Sequence, residues 1–156
     1  MKKNHDYFMK MALKEAKKAF LISEVPVGAV LVKDDVIIAR GHNVVEKKQS
    51  VLRHAELEVI KKANAKQKNW RLNETTLYVT LEPCMMCLGA INLSRIKNVI
   101  FLLLDDKKSD NQRSIERKNI VTTLILHSDS KRQKEYKTML QTFFRDQRIL
   151  KKFDSE

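Results

Sequence analysis

The sequence predicts an α/β fold in which one sheet is covered by helices on both faces, built as a single domain over residues 1–156 with its core at about 5–150. Three observations carry this. Helix-period and strand-like apolar segments alternate along the chain. No linker, internal repeat or low-complexity stretch divides it. At 156 residues it reads as one domain, long enough to bury a real core.

The elements follow in order. Phe8, Ala12, Ala16, Ala19 and Phe20 recur at helical spacing, so residues 5–22 read as an amphipathic helix. Val27–Val32 and Val36–Arg40 are apolar runs around Lys33-Asp34-Asp35, a hairpin turn. A helix is expected from His54 to about Lys66, and a strand from Thr75 to Thr80. Another helix starts at Cys84 and runs to about Leu93, followed by a strand from Asn98 to Leu103. The β-branched run Ile120–Leu126 is the last strand. Tyr136, Met139, Leu140, Phe143 and Phe144 form a helical stripe closing the chain, mostly core, with Phe144 the one placed to emerge and stack on a base.

Charge narrows the partners. Lys and Arg number 31 against 19 Asp and Glu, a formal net charge of +12, which attracts polyanions and steers their encounter. An AT-rich genome, with lysine codons common and only 3 glycines, is the other source of such a composition. No apolar run is long enough to span a membrane, and the start Met1-Lys2-Lys3-Asn4-His5 lacks a signal-peptide core. Both cysteines fall in one four-residue window, Cys84 to Cys87, and committing them to a metal implies a reducing, cytoplasmic compartment.

His54-Ala55-Glu56 and Pro83-Cys84-Met85-Met86-Cys87 carry the chemistry. A structural zinc site is closed by four protein ligands, whereas a catalytic one keeps a position for water. His54, Cys84 and Cys87 supply three ligands, and Glu56 is left to move protons. Residues two apart diverge inside a helix, so His54 and Glu56 can converge only at a helix start. Pro83, lacking an N–H, suits the opening of the second helix. Two helix N-termini then face the metal and favour thiolate and hydroxide. Taken singly, the histidine could be an ordinary core residue and Cys-x-x-Cys a redox or buried pair. Together they read as metal-assisted hydrolysis.

This H-x-E…P-C-x-x-C arrangement resembles the zinc nucleobase deaminases. The flanking segments Glu24-Val25-Pro26-Val27-Gly28-Ala29-Val30, Gly41-His42-Asn43 and Thr76-Leu77-Tyr78-Val79-Thr80-Leu81-Glu82-Pro83-Cys84 look like the bacterial tRNA-specific adenosine deaminases. So do Gly89-Ala90-Ile91, Ser94-Arg95-Ile96 and Phe143-Phe144-Arg145 with Arg148, a resemblance covering residues 5–150. It implies a three-layer α/β/α cytidine-deaminase-like sandwich with a central mixed five-stranded sheet. It also implies one zinc per subunit on His54, Cys84 and Cys87, and hydrolytic conversion of adenosine to inosine at the wobble position of a tRNA anticodon. An activated water attacks C6, and Glu56 shuttles the protons. The alternative within the same chemistry is a small-molecule deaminase of cytosine, guanine or a nucleotide; a non-catalytic RNA-binding protein would have no need of Glu56.

The resemblance further implies substrate contacts. Asn43 corresponds to the base-contacting asparagine, a turn asparagine being the lesser alternative. Pro26 and Val27 match the apolar pocket wall, and the Ala55 N–H is placed for a ring nitrogen. Glu82 suits either a flanking nucleotide or a structural role. Asp105 aligns with an aspartate that contacts a 2′-hydroxyl. Arg145, Arg148, Lys151, Lys152, Lys107 and Lys108 are candidate phosphate contacts, with solvated surface groups as the other reading. An arginine tRNA is the family's usual target, and two subunits complete each other's sites, so a homodimer is expected, with the stretch Met85-Met86…Leu88…Ile91 contributing apolar surface. Two departures stand out. Ser50-Val51-Leu52-Arg53 replaces the family's usual approach to the zinc histidine. Leu102 to Asn111 lacks the family's glycines, and with them easy access to positive φ, so this loop is expected to take another path or be disordered.

Overall fold

The computed structural model describes residues 4–155; Met1-Lys2-Lys3 of the charged start, and Glu156, lie outside the described residues. The element order is α1 (His5–Leu21), β1 (Gly28–Lys33), β2 (Val36–His42), α2 (Val45–Lys48), α3 (Ala55–Gln67), β3 (Thr76–Leu81), α4 (Met85–Leu93), β4 (Asn98–Leu103), α5 (Asp110–Arg117), β5 (Thr123–Leu126) and α6 (Ser130–Phe153). Asn4 starts α1 by accepting the Tyr7 N–H at 3.0 Å, and Asp6 sits in the positive first turn. The β1–β2 turn works without glycine because Asp34 and Asp35 both adopt positive φ (49° and 57°), the backbone a two-residue hairpin requires.

The sheet order is β2-β1-β3-β4-β5. β1 pairs antiparallel with β2 and β3, while β3, β4 and β5 run parallel, so the sheet is mixed. Strand alternation divides the core into two. Ala29, Leu31, Leu77, Val79, Val99 and Phe101 face Ala55, Val59, Ala63, Cys87 and Ile91 of α3 and α4. Val30, Val32, Tyr78, Ile100 and Leu102 face Phe8, Met9, Ala12, Ala16 and Tyr136 of α1 and α6. The three expected layers are present. On the second face α1 lies close to β1: a Cβ on Gly28 would stand 2.2 Å from both the Ala12 carbonyl and the Ala16 nitrogen. Only glycine fits there.

Several expectations need correction. The last strand is shorter than Ile120–Leu126. Val121 is 90% exposed, its N–H donates to Asn92, and Thr122 donates to the Ile96 carbonyl, so pairing starts only at Thr123. Pro83 is not the first helical residue of α4, because Cys84 is the N-cap and Pro83 precedes it. The glycine-poor segment after β4 contains no residue at positive φ. It needs none, because it leads into α5, capped by Ser109 accepting the Gln112 N–H at 3.1 Å. Leu88 and Ile91 are buried inside α4, so they are not spare surface. Exposed apolar side chains on that helix are Met85 and Leu93.

Candidate active site

The parallel strands β3 and β4, the loop entering β1 and the end of β2 all open at one edge of the sheet, where α3 and α4 begin. His54 is the N-cap of α3 and Cys84 the N-cap of α4, both with extended backbone. Each cap therefore throws its side chain over its helix end, and Cys87, three residues on, joins Cys84 on the same side. His54 Nδ1 lies 3.6 Å from Sγ of both Cys84 and Cys87. A tetrahedral ion with sulfur at about 2.3 Å and nitrogen at about 2.0–2.1 Å holds such donors about 3.5–3.6 Å apart. The three donor atoms thus fit a metal with one position left over, and they form a cluster able to hold one.

Electrostatics suit proton handling. The Cys84 thiol is held down to about 4, first by its hydrogen bond with the Cys87 thiol and then, against burial, by His54. Cys87 is pushed up, by the same hydrogen bond and by burial. The pair thus shares one proton that a metal must displace. His54 is raised, chiefly by its hydrogen bond to Cys84. Glu56 is 4% exposed, and burial raises its carboxyl above the usual range, with the Cys84 charge adding to this. A carboxyl moved toward neutral pH is better matched to giving and taking protons.

Above these groups lies a cavity of about 640 Å³, within the range of small-molecule sites, with mostly apolar walls. Val25 and Val27, Asn43 and Ala55, and Phe144 and Arg148 of α6 line it.

The MafB19-like deaminase family matches residues 3–148. The tRNA-specific adenosine deaminase of Streptococcus pyogenes serotype M18 is 41% identical over 160 aligned positions, covering 94% of this chain and 93% of the relative. That of Bacillus subtilis is 42% identical, covering 94% and 92%. The chain belongs to the tRNA-specific adenosine deaminase family. A solved structure from studies of A-to-I editing by tRNA:A34 deaminases at the wobble position superposes with a TM-score of 0.73 at 35% identity, over 78% of this chain and 98% of the other. Guanine deaminase from Bacillus subtilis superposes at 0.65 with 28% identity, over 87% and 93%.

This deaminase brings His54, Glu56, Cys84, Val27, Asn43, Ala55, Asp105, Phe144 and Arg148 to one cavity, with Cys87 buried beside His54 and Cys84. Others among the expected groups are occupied differently. Pro26 is buried, and its carbonyl accepts the Tyr136 hydroxyl at 2.9 Å, so it anchors α6; Val25 takes its place in the wall. Glu82 borders the cavity, but its carboxylate accepts Arg113, Arg117 and the Asp105 N–H, which is the structural use. Lys108 is buried and paired with Glu116 at 2.6 Å, so it is no phosphate contact. The Asn43 amide donates to the Val25 carbonyl and accepts the Val45 N–H, both at 3.3 Å, long bonds that hold it in place at the cavity edge. Glu24 also proves structural: it is 1% exposed and accepts the Glu46 and Lys47 N–H groups, capping α2 from outside. Sequence reasoning read Leu140 as core and missed Gln141; both line the cavity, and their spacing of four and three from Phe144 puts them on its face of α6.

Proposed function

We propose that this deaminase hydrolyses adenosine to inosine at the wobble position of a tRNA anticodon, with zinc on His54, Cys84 and Cys87. The observation that carries this reading is the donor triangle with Glu56 beside it, at an apolar cavity roomy enough for a nucleoside. Zinc, when bound, lowers the pKa of a water so that it can act near neutral pH. Glu56 then takes the water's proton and delivers protons to the ring nitrogen and to the departing ammonia. The water oxygen bonds to C6, the C6–N bond breaks, and inosine and ammonia leave. The Ala55 N–H, at the first position of α3, is free of helix bonding and points a donor toward the base. The Asn43 amide serves the purine edge, and Asp105 the ribose.

Phe144 packs edge-on against Phe143 at 5.3 Å and carries Lys107 over its ring at 5.1 Å, which suits stacking of a base beside a phosphate. An arginine tRNA is the proposed substrate, a homodimer the proposed assembly and the cytoplasm the proposed location. Among the described residues no helix is long and apolar enough to cross a membrane. The likeness to guanine deaminase favours a second reading, turnover of a free base. One assay separates them: purified zinc-loaded protein is given an anticodon stem-loop with wobble adenosine, or free guanine and cytosine. Inosine in the RNA supports the proposal; turnover of free bases with an untouched stem-loop overturns it.

A further inference from the structure

The two residues ahead of Cys84 are gripped from α5 and from the loop that leads into it. Glu82 receives Arg113 Nε at 3.1 Å on both oxygens, Arg117 at 2.9 Å and the Asp105 N–H at 3.0 Å. The Pro83 carbonyl accepts Lys108 Nζ at 2.8 Å, and that ammonium pairs with Glu116, which Gln112 also bonds at 2.9 Å. Arg113 reaches on to the Asp105 carbonyl at 2.7 Å. These charges are out of water: the side chains of Glu82, Lys108 and Glu116 are 3%, 5% and 6% exposed. A buried ionic set is a poor device for stability alone, since apolar residues of the same volume serve as well or better. What it fixes is direction. Lys108 acts on the Pro83 carbonyl immediately before Cys84, and Arg113 and Arg117 act on the Glu82 carboxylate two residues before it.

We propose that α5 and the loop leading into it are a brace for the metal loop, with Lys108 and Arg113 as positioning residues that hold Glu82-Pro83 so that Cys84 and Cys87 keep their spacing to His54. The proposal rests on the zinc reading of that triangle and not on the identity of the substrate. It also accounts for the loss of glycines after β4: Lys108 just ahead of the Ser109 cap, with Arg113, Glu116 and Arg117 on the helix, is a stiffer support than a glycine loop.

The test measures zinc release from the intact holoprotein to a chromophoric chelator, beside melting of the apo and zinc-loaded forms. The double variant Lys108→Met/Glu116→Gln removes the buried pair without stranding a lone charge. It is expected to release zinc on the order of 10-fold faster than the parent or more, with apo melting nearly unchanged and a smaller melting increment on zinc loading. Arg113→Gln, which leaves Arg117 on Glu82, is expected to speed release severalfold and gives the answer if the double variant does not fold. Zinc release at the parent's rate in the folded variants, whatever their melting temperature, overturns the brace. A parent that holds no zinc overturns the metal reading and the brace with it.

Discussion

Glu56 and His54 are two residues apart, yet both face the same point, because one is the cap of α3 and the other lies in its first turn. That arrangement makes their roles separable. Glu56→Ala is expected to keep zinc and RNA binding while turnover falls by about 100-fold to 10,000-fold, the range of a lost acid–base group; near-normal single-turnover rates would mean another residue moves the proton. Cys84→Ala or Cys87→Ala should lose both metal and activity, measured by elemental analysis beside the inosine assay. Because the Cys87 thiol is raised, zinc loading must expel a proton, so affinity should rise with pH. Calorimetry in two buffers of different ionisation enthalpy reads that release; equal heats would contradict it. The convergence of His54, Cys84, Cys87 and Glu56 was legible in the sequence because ligand chemistry tolerates few residue types at fixed spacing. Val25 against Pro26, and the use of Glu82, were not. Which way a loop residue turns depends on partners such as Tyr136 and Arg113, more than 25 positions away.

At the level of elements, carboxylates tie separate segments together. On α1, burial alone would raise Glu15, but hydrogen bonds from Lys18 and from His42 at the end of β2 outweigh it and hold it below the usual range. On α5, burial of Glu116 is likewise outweighed by Lys108 and Gln112. A carboxyl depressed in the folded state contributes stability that is full above its unfolded value, about 4.5, and is lost as pH falls through the folded value. Melting temperature should therefore hold down to about pH 5 and drop below it, with Glu15→Gln flattening the drop; an unaltered acid limb in that variant would rule out the assignment. The long elements were readable because α1, α3, β3, β4 and α6 each bury a periodic face. α2 and α5 were not. α2 has four residues and is capped by the distant Glu24, and α5 buries no apolar face of its own. Helices held by side chains from elsewhere leave little trace in local periodicity.

The whole molecule carries a net charge of +12, and its deaminase cavity opens beside the basic end of α6. Arg148, Lys151 and Lys152 are exposed there, whereas Arg145 is turned to Asp146 at 3.2 Å. Replacing those three with glutamine should weaken stem-loop binding and flatten the log–log salt slope by about 2, since each released phosphate contact contributes about 0.7 on single strands. Turnover at saturating RNA should change little; an unaltered slope would move the RNA path off α6. The exposed apolar residues Val51, Leu52, Met85 and Leu93 flank the same metal helices and suit a second subunit. Met85→Glu/Leu93→Glu is expected to give monomers by light scattering, and an active monomeric parent at micromolar concentration would overturn the dimer.

Two glycines have opposite mutational prospects. At Gly28 even a single methyl group meets main-chain atoms that no rotamer change can clear, so alanine, the mildest replacement, should be among the least tolerated changes in the chain. At Gly89, on α4 between Met85 and Leu93, an added Cβ meets nothing within 4 Å, and alanine should stabilise an isolated chain by up to about 1 kcal/mol through helix propensity. If another chain's backbone lies against that turn, the same methyl group becomes a wedge. The sign of the effect of Gly89→Ala on melting therefore reports whether α4 is a solvent face or a seam.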